Sequence, residues 1–102
     1  MSISILKNDE LSRYEIYADA ELAGFADFRI RNQVISYTHT EIYPRFGGRG
    51  LGGQLVEEAL DQAVKKSLEV APYCSFVSAY IRKNSEKYLH LVPEAKRANF
   101  NL

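Results

Sequence analysis

The chain has 102 residues, of which 46% are hydrophobic and 25% are charged, as in an ordinary globular domain. Its 13 basic and 13 acidic residues cancel, which argues against a general binder of nucleic acids or anionic membranes. This length predicts one domain, spanning residues 1–102. A single cysteine excludes an internal disulfide framework, so we expect a cytoplasmic location. No signal peptide is predicted at the start, and no apolar run approaches the ~20 residues that span a bilayer.

The first part of the chain predicts four strands in succession. Apolar and polar side chains indicate strands at 3–7, 13–18, 22–30 and 34–42. Gly24 suggests a bulge in the third of them. Because the connections are short, these strands are expected to pair as an antiparallel meander.

A long amphipathic helix is predicted to begin at Leu51. Apolar residues recur at helical spacing as far as Val64, and Asp61 and Lys65 are placed to pair on the outer face. The pattern is the most regular in the chain. It therefore predicts a helix that buries one face against the sheet.

A fifth strand at 68–74 and a second helix at 76–83 follow, with Ser75 as the expected N-cap of that helix. A strand that returns after a meander and a helix most easily pairs parallel to a neighbour. A short helical turn at 85–90 and an irregular tail complete the prediction. The expected fold class is α+β, with a mixed, mostly antiparallel sheet.

The segment before the long helix is rich in glycine. Five of the six glycines lie between Gly47 and Gly53. Glycine adopts positive φ angles and lets a ligand approach the backbone closely. The first N–H groups of a helix have no intrahelical partner, and together with the helix dipole they bind phosphate groups. The segment therefore predicts a site for a ligand that carries phosphates.

Two familiar phosphate-binding motifs do not fit this segment. A P-loop ends in Gly-Lys-Ser/Thr, whereas Gly52 is followed by Gly53 and Gln54. Gly48, Gly50 and Gly53 formally match the dinucleotide fingerprint, but they follow four strands instead of opening a first βαβ unit. The chain is also too short for a dinucleotide-binding fold.

Several segments together resemble the GCN5-related N-acetyltransferases. Residues 45–50 fit the Q/R-x-x-G-x-G/A signature of that superfamily, and residues 39–41, 72–77 and 79–82 are similar to segments of its minimal single-domain members. The resemblance implies an acyl-CoA N-acyltransferase core that acetylates an amine with acetyl-coenzyme A (acetyl-CoA). It also implies that the fourth and fifth strands splay apart around the pantetheine arm. The alternative is a module that binds acyl-CoA without catalysis.

The resemblance assigns the pyrophosphate of acetyl-CoA to the glycine-rich segment. One departure is Gly47, where the superfamily often has arginine, so that Arg45 and Arg49 are left to supply positive charge. Arg82 is either a further contact of the phosphates or a solvated cation. No metal ligand is predicted. The predicted cofactor-binding residues are Ile42, Arg45, Gly47, Gly48, Arg49, Gly50, Leu51 and Gly52.

The predicted catalytic residues are Cys74, His39, Glu41 and Tyr80. Two roles are open for Cys74: it attacks the thioester with His39 or Glu41 as base, or it lines the pocket while the amine attacks directly. His39 and Glu41 alternate along one strand and are expected to share a face next to the cleft. Tyr80 resembles the tyrosine that protonates the leaving thiolate in larger relatives. For each of these side chains, simple packing or a structural hydrogen bond is the competing interpretation.

The connection between the first two strands, residues 7–12, is short. Larger acetyltransferases place two helices there, and these helices wall the acceptor site. The acceptor side of this protein is therefore expected to be shallow and open, which favours an amine on a peptide or protein. The oligomeric state is left open.

Overall fold

The computed structural model describes residues 1–102 and contains one five-stranded sheet. Its strands are β1 (Ile3–Asn8), β2 (Arg13–Ala18), β3 (Glu21–Arg31), β4 (Val34–Ile42) and β5 (Glu69–Pro72). They lie side by side in chain order; the first four pair antiparallel, and β5 runs parallel to β4. The predicted meander, the parallel fifth strand and the α+β class are confirmed.

The rest of the ordered structure is helical. The α-helices are α1 (Leu51–Lys65), α2 (Ser75–Lys83) and α3 (Ser85–Tyr88). Turns of 3-10 helix lie at Pro44–Phe46, Leu89–Leu91 and Glu94–Phe100. The prediction of an irregular tail is therefore wrong. Arg97 fixes this tail by donating from Nε to the carbonyl of Val92 at 2.9 Å, and Phe100 is buried.

Helix α1 packs on β2, β3 and β4 and supplies one side of the core. Its buried residues recur every three or four positions, as an amphipathic helix requires: Leu51, Leu55, Val56, Ala59, Leu60 and Ala63. From the sheet, Tyr37 reaches this helix and donates its hydroxyl to the carbonyl of Ala59 at 2.6 Å. None of the helices combines the length and the apolar character that crossing a membrane requires.

The predicted bulge at Gly24 is displaced by one residue. Gly24 pairs regularly with Ile16 and Ile42, and the extra residue of β3 is Ala23. Glycine is required at position 24 for another reason: a Cβ there would lie 2.2 Å from the carbonyl oxygen of Glu41. β3 and β4 thus approach one another more closely than a side chain would allow.

A second bulge lies in β4. Phe28 pairs with Tyr37, whereas Asp27 pairs with His39, so Thr38 is an extra residue without a partner on β3. One extra residue reverses the face to which all later side chains point. Beyond Thr38, the even-numbered residues of β4 therefore face α1, as Tyr37 does before it.

Two local predictions are wrong. Cys74, not Ser75, is the N-cap of α2, and no side chain caps that helix. Asp61 forms no ion pair with Lys65, because its Oδ1 accepts a hydrogen bond from the Tyr88 hydroxyl at 2.6 Å. Burial and this hydrogen bond raise the pKa of Tyr88. Asp61 thus joins α1 to α3 instead of pairing within α1.

Candidate functional site

Pairing between β4 and β5 ends halfway along β4. It covers four residue pairs, the last being Tyr37 with Pro72. The next backbone contact is the N–H of Cys74, which donates to the carbonyl of Tyr37 at 2.9 Å. From Thr38 to Ile42, β4 has no strand on its β5 side. Backbone groups on this edge can therefore pair with an extended ligand.

Helix α1 follows this edge after residues 43–50, and its first turn contacts the start of α2 through Gly52 and Phe76. Its N-cap is Gly50, with φ of 73°, and no side chain caps the helix. Gly48 also has a positive φ, of 76°. A Cβ at either glycine would have no neighbour within 4 Å, so the turn is open to solvent. With no acidic residue in the first turn, this helix end is suited to an anion.

Two arginines, Arg45 and Arg49, flank the turn that contains Gly47 and Gly48. The guanidinium carbons of Arg45 and Arg49 lie 4.6 and 5.5 Å from the centre of the buried Phe46 ring. Arg45 forms an exposed ion pair with Glu21, and Arg49 lies 3.4 Å from Sδ of Met1. Both cations thus lie beside Phe46, in the segment that leads into α1, and Arg45 already has an anionic partner.

The other predicted cofactor-binding residues differ in local role. Leu51 is buried and fixes the start of α1, and Ile42 packs against the core at the end of β4. Gly47 has an ordinary extended conformation, with φ of −67°. Gly52 lies under the ring of Phe76, because a Cβ there would be 2.8 Å from the ring atom Cζ. The starts of α1 and α2 therefore touch.

Where β4 and β5 stop pairing, a gap opens between the unpaired edge of β4 and the chain that follows β5. Cys74 lies across this gap from β4, at the N-cap of α2. Its half-buried thiol donates a hydrogen bond to the hydroxyl of Thr40, with Sγ and Oγ1 3.4 Å apart. Thr40 is absent from the residues predicted by sequence. The available signal was its position between His39 and Glu41, which in a strand points it to the opposite face.

His39 and Glu41 lie together on the sheet face that points away from α1. Nε2 of His39 is 3.2 Å from Oε1 of Glu41, and their side chains are 57% and 46% exposed. The ring of His39 also packs 5.9 Å from that of Phe25. The structure brings these two residues to each other, but not to the Cys74 thiol, which contacts Thr40 on the α1 side.

Tyr80 is half-buried on α2, near the start of α1. Its ring atom Cε2 would lie 3.8 Å from a Cβ on Gly53, and its ring centre is 6.1 Å from that of Tyr88. Burial, with a smaller effect from the carboxylates of Glu57 and Asp61, raises the pKa of Tyr80 above the ordinary value, at which a phenol is already protonated at neutral pH.

A shallow surface cavity of about 170 Å³ lies beside this phenol, lined by Phe76, Ala79, Tyr80 and Lys83. Arg82 is turned elsewhere, since its Nε donates to the carbonyl of Asn101 at 3.1 Å. Of the two cations on this part of α2, Lys83 is therefore the one beside the cavity.

Comparison with known proteins identifies relatives of this chain. A family model described as GCN5-related N-acetyl-transferase matches residues 13–91. Protein NATD1 from Gallus gallus is 30% identical over 66 residues. That match covers 63% of this chain and 60% of the relative, so the chain spans less than two thirds of the relative's length.

Solved structures share the fold. A GCN5-like protein from Staphylococcus aureus is 20% identical, with 88% of this chain and 87% of that chain covered and a TM-score of 0.65. N-acetylglutamate synthase from Neisseria gonorrhoeae, complexed with coenzyme A and N-acetyl-glutamate, is 15% identical with a TM-score of 0.59. Here 97% of this chain but only 26% of the synthase is covered. At these identities, the likeness shows a common fold.

Proposed function

Because the chain belongs to the GCN5-related N-acetyltransferase family, we propose that it binds acetyl-CoA and transfers the acetyl group to an amine. One observation carries this proposal: the uncapped, glycine-lined start of α1 lies directly beside the edge where β4 loses its strand partner. A structural neighbour with the same fold is a complex with coenzyme A, which supports the choice of ligand. The single free cysteine favours a cytoplasmic location.

The pyrophosphate is assigned to the first turn of α1. Gly48 and Gly50 leave this turn open, and the helix dipole favours negative charge there. Arg49 and Arg45 add positive charge beside it. Arg45 must leave Glu21, or share its donors with it, to reach a phosphate.

The pantetheine arm is assigned to the free edge of β4 from Thr38 to Ile42. Its amide groups can pair with backbone groups there as an added strand would. This path leads from the start of α1 towards the thiol of Cys74. Acetyl-CoA bound in this way places its thioester near Cys74 and Thr40, and it would shield Cys74 from reagents in solution.

The chemistry requires removal of a proton from the amine and return of a proton to the leaving thiolate. His39 and Glu41 are proposed to take the amine proton, from the sheet face opposite α1. Tyr80, a half-buried phenol near the start of α1 that is protonated at neutral pH, is proposed to supply the proton to the thiolate. The amine nitrogen then bonds to the acetyl carbon as the carbon–sulfur bond breaks.

The covalent route through Cys74 has weaker support. It requires a base that removes the thiol proton, but the thiol bonds to Thr40 and not to His39 or Glu41. We therefore favour direct attack by the amine, with Cys74 lining the thioester site. Mixing the protein with labelled acetyl-CoA tests this preference, because label that stays on Cys74 would establish the covalent route.

The acceptor is proposed to be an amine on a peptide or protein. Only residues 9–12 join β1 to β2, so no helices stand over the open face of the sheet at this point. His39 and Glu41 are exposed on that face. A surface without walls suits an extended or large substrate better than a small molecule that must be enclosed.

Calorimetry with coenzyme A tests the cofactor site. Arg49→Gln is expected to weaken binding about tenfold, as for loss of one charge-assisted hydrogen bond. Arg31→Gln makes the same charge change at the last residue of β3, opposite the first residue of β4, and is the matched control. If the wild-type protein does not bind coenzyme A, or if both variants behave alike, the proposed phosphate site is wrong.

The rival function is a module that binds acyl-CoA without catalysis. The separation of His39 and Glu41 from the Cys74 thiol favours it. Release of coenzyme A from acetyl-CoA, measured with a panel of peptide and small amines, separates the two functions. Binding combined with release at the background rate for every amine would support the module and contradict the transferase.

A further inference from the structure

The thiol of Cys74 has one side-chain partner, the hydroxyl of Thr40. The 3.4 Å contact between Sγ and Oγ1 joins the N-cap of α2 to the second half of β4. Backbone pairing between β4 and β5 has already ended there, at Tyr37 and Pro72. The gap that is proposed to receive the thioester is therefore bridged by a hydrogen bond between these two side chains.

This contact depends on the bulge in β4. Thr40 pairs with Ala26, and Tyr37 pairs with Phe28, so these four residues share the face of the sheet that carries α1. Without the extra residue Thr38, alternation from Tyr37 would turn Thr40 to the opposite face. The bulge thus places a hydroxyl, rather than the imidazole of His39, opposite the thiol.

A hydroxyl can partner both protonation forms of a thiol. In the neutral form, Sγ–H of Cys74 donates to Oγ1 of Thr40, as the structure shows. When a base in solution has taken the thiol proton, the threonine O–H can rotate and donate to the thiolate. A hydrogen bond to an ionised acceptor is the stronger of the two. The same hydroxyl can therefore serve as the hydrogen-bond partner of the thiol and of the thiolate.

We propose that Thr40 is a positioning residue, whose hydroxyl holds the Cys74 side chain at the gap and stabilises its thiolate through a hydrogen bond. Its branched Cβ limits the rotation of its own side chain, so the hydroxyl is held in place. The role of this pair in acetyl transfer rests on the proposed function. The thiol chemistry of Cys74 does not, and it can be measured without any acetyl donor.

Alkylation of Cys74 by iodoacetamide is the first test. The thiolate sulfur bonds to the reagent carbon and iodide leaves, so the rate follows the thiolate fraction and its accessibility. Thr40→Val is expected to slow alkylation about three- to tenfold, the size expected for one lost hydrogen bond. Thr40→Ser, which keeps the hydroxyl, is expected to restore the rate. Thr40→Ala gives the same test if the valine variant does not fold.

Ser36→Ala is the matched control for loss of a hydroxyl, because Ser36 lies on the same strand, in its part paired with β5, and does not contact the thiol. Its alkylation rate is expected to equal that of the wild type. A rate for Thr40→Val equal to or above the wild-type rate would overturn the proposal. So would a serine variant that alkylates as slowly as the valine variant.

Release of coenzyme A in a double-mutant cycle is the second test. Thr40→Val is expected to lower turnover in the wild-type background and to have no further effect when Cys74→Ala is present. Equal losses in both backgrounds, or no loss in either, would overturn a role of Thr40 through Cys74. Failure of the proposed function appears separately, as absent binding of coenzyme A to the wild type, and the alkylation rates then decide the inference alone.

Discussion

A Cβ atom on Gly52 would lie 2.8 Å from Cζ of Phe76, because the ring of Phe76 packs on the first turn of α1. At Gly53, one residue further along, a Cβ would lie 3.8 Å from Cε2 of Tyr80, which is an ordinary contact distance. Neither glycine has a positive φ. The two therefore differ in what covers them and not in backbone conformation.

This difference predicts different free energies of unfolding for two alanine variants. Gly53→Ala is expected to raise the free energy of unfolding by about 0.5–1 kcal/mol, because alanine loses less backbone entropy in a helix. Gly52→Ala has the same advantage but displaces the Phe76 ring, so we expect it to be about 1 kcal/mol less stable than Gly53→Ala. Urea denaturation measures both. Equal gains would show that the ring does not rest on Gly52.

The ion pair between Arg45 and Glu21 predicts a change in ligand affinity without a change in stability. Both side chains are well exposed, so Glu21→Gln should alter the free energy of unfolding by less than about 0.5 kcal/mol. Freed from Glu21, Arg45 is expected to bind a phosphate of coenzyme A about two- to fivefold more tightly at low salt, and less so at high salt.

Calorimetry at two salt concentrations checks this prediction. Glu10→Gln is the control, since it makes the same charge change in the turn between β1 and β2. Glu21, the first residue of β3, lies near the opposite end of β2. If both variants raise the affinity equally, the gain comes from net charge and not from release of Arg45.

The carboxylate of Glu15 predicts a loss of stability in acid. It is buried and accepts hydrogen bonds from Nε of Arg13 at 2.8 Å, the hydroxyl of Tyr17 at 2.8 Å and Nδ2 of Asn8 at 3.1 Å. Burial alone would raise the pKa of Glu15, but these three donors outweigh it and lower the pKa. The ionised form is therefore favoured by folding.

Because the folded pKa lies below the unfolded value, this stabilisation is complete above about pH 4.3 and is lost as the pH falls through the folded pKa. Glu15→Gln is expected to cost on the order of 1–3 kcal/mol at neutral pH. The difference in the free energy of unfolding between this variant and the wild type should shrink as the pH is lowered to about 3. Urea denaturation at several pH values tests this, with the exposed Glu94→Gln as control. A deficit independent of pH would contradict it.

The hydroxyl of Tyr37 predicts a stabilising link between the sheet and α1. It donates to the carbonyl of Ala59 at 2.6 Å, and burial raises the pKa of Tyr37, so it remains a donor. Tyr37→Phe is expected to lower the free energy of unfolding by about 1 kcal/mol. Tyr43→Phe, in a half-buried tyrosine just beyond the same strand, is the control. Similar losses in both variants would show that the link contributes nothing specific.

Local pattern was sufficient for most of the fold. Alternation predicted the four strands of the meander to within one residue at each end, and helical spacing predicted α1 as far as Val64, one residue short of its end. These patterns are readable because each reflects burial of one face. The glycine-rich turn was equally readable, since its positive φ angles at Gly48 and Gly50 require the residue type itself.

Local sequence pattern could not predict the contacts of Asp61 or the N-cap of α2. Asp61 could pair with Lys65 by spacing along the helix, but the hydroxyl of Tyr88 comes from a distant part of the chain and takes its place. Such competition is decided by packing between elements. Likewise, the chain enters α2 at Cys74, where its backbone bonds to Tyr37 on another strand.

Alternation of side chains along a strand is enough to place His39 and Glu41 on one face of β4. Which face of the sheet this is depends on how β4 pairs with β3 in the folded protein. One extra residue at Thr38 reverses the alternation, and a bulge is set by how two strands pair and not by either strand alone. For this reason Thr40, and neither His39 nor Glu41, contacts the thiol of Cys74.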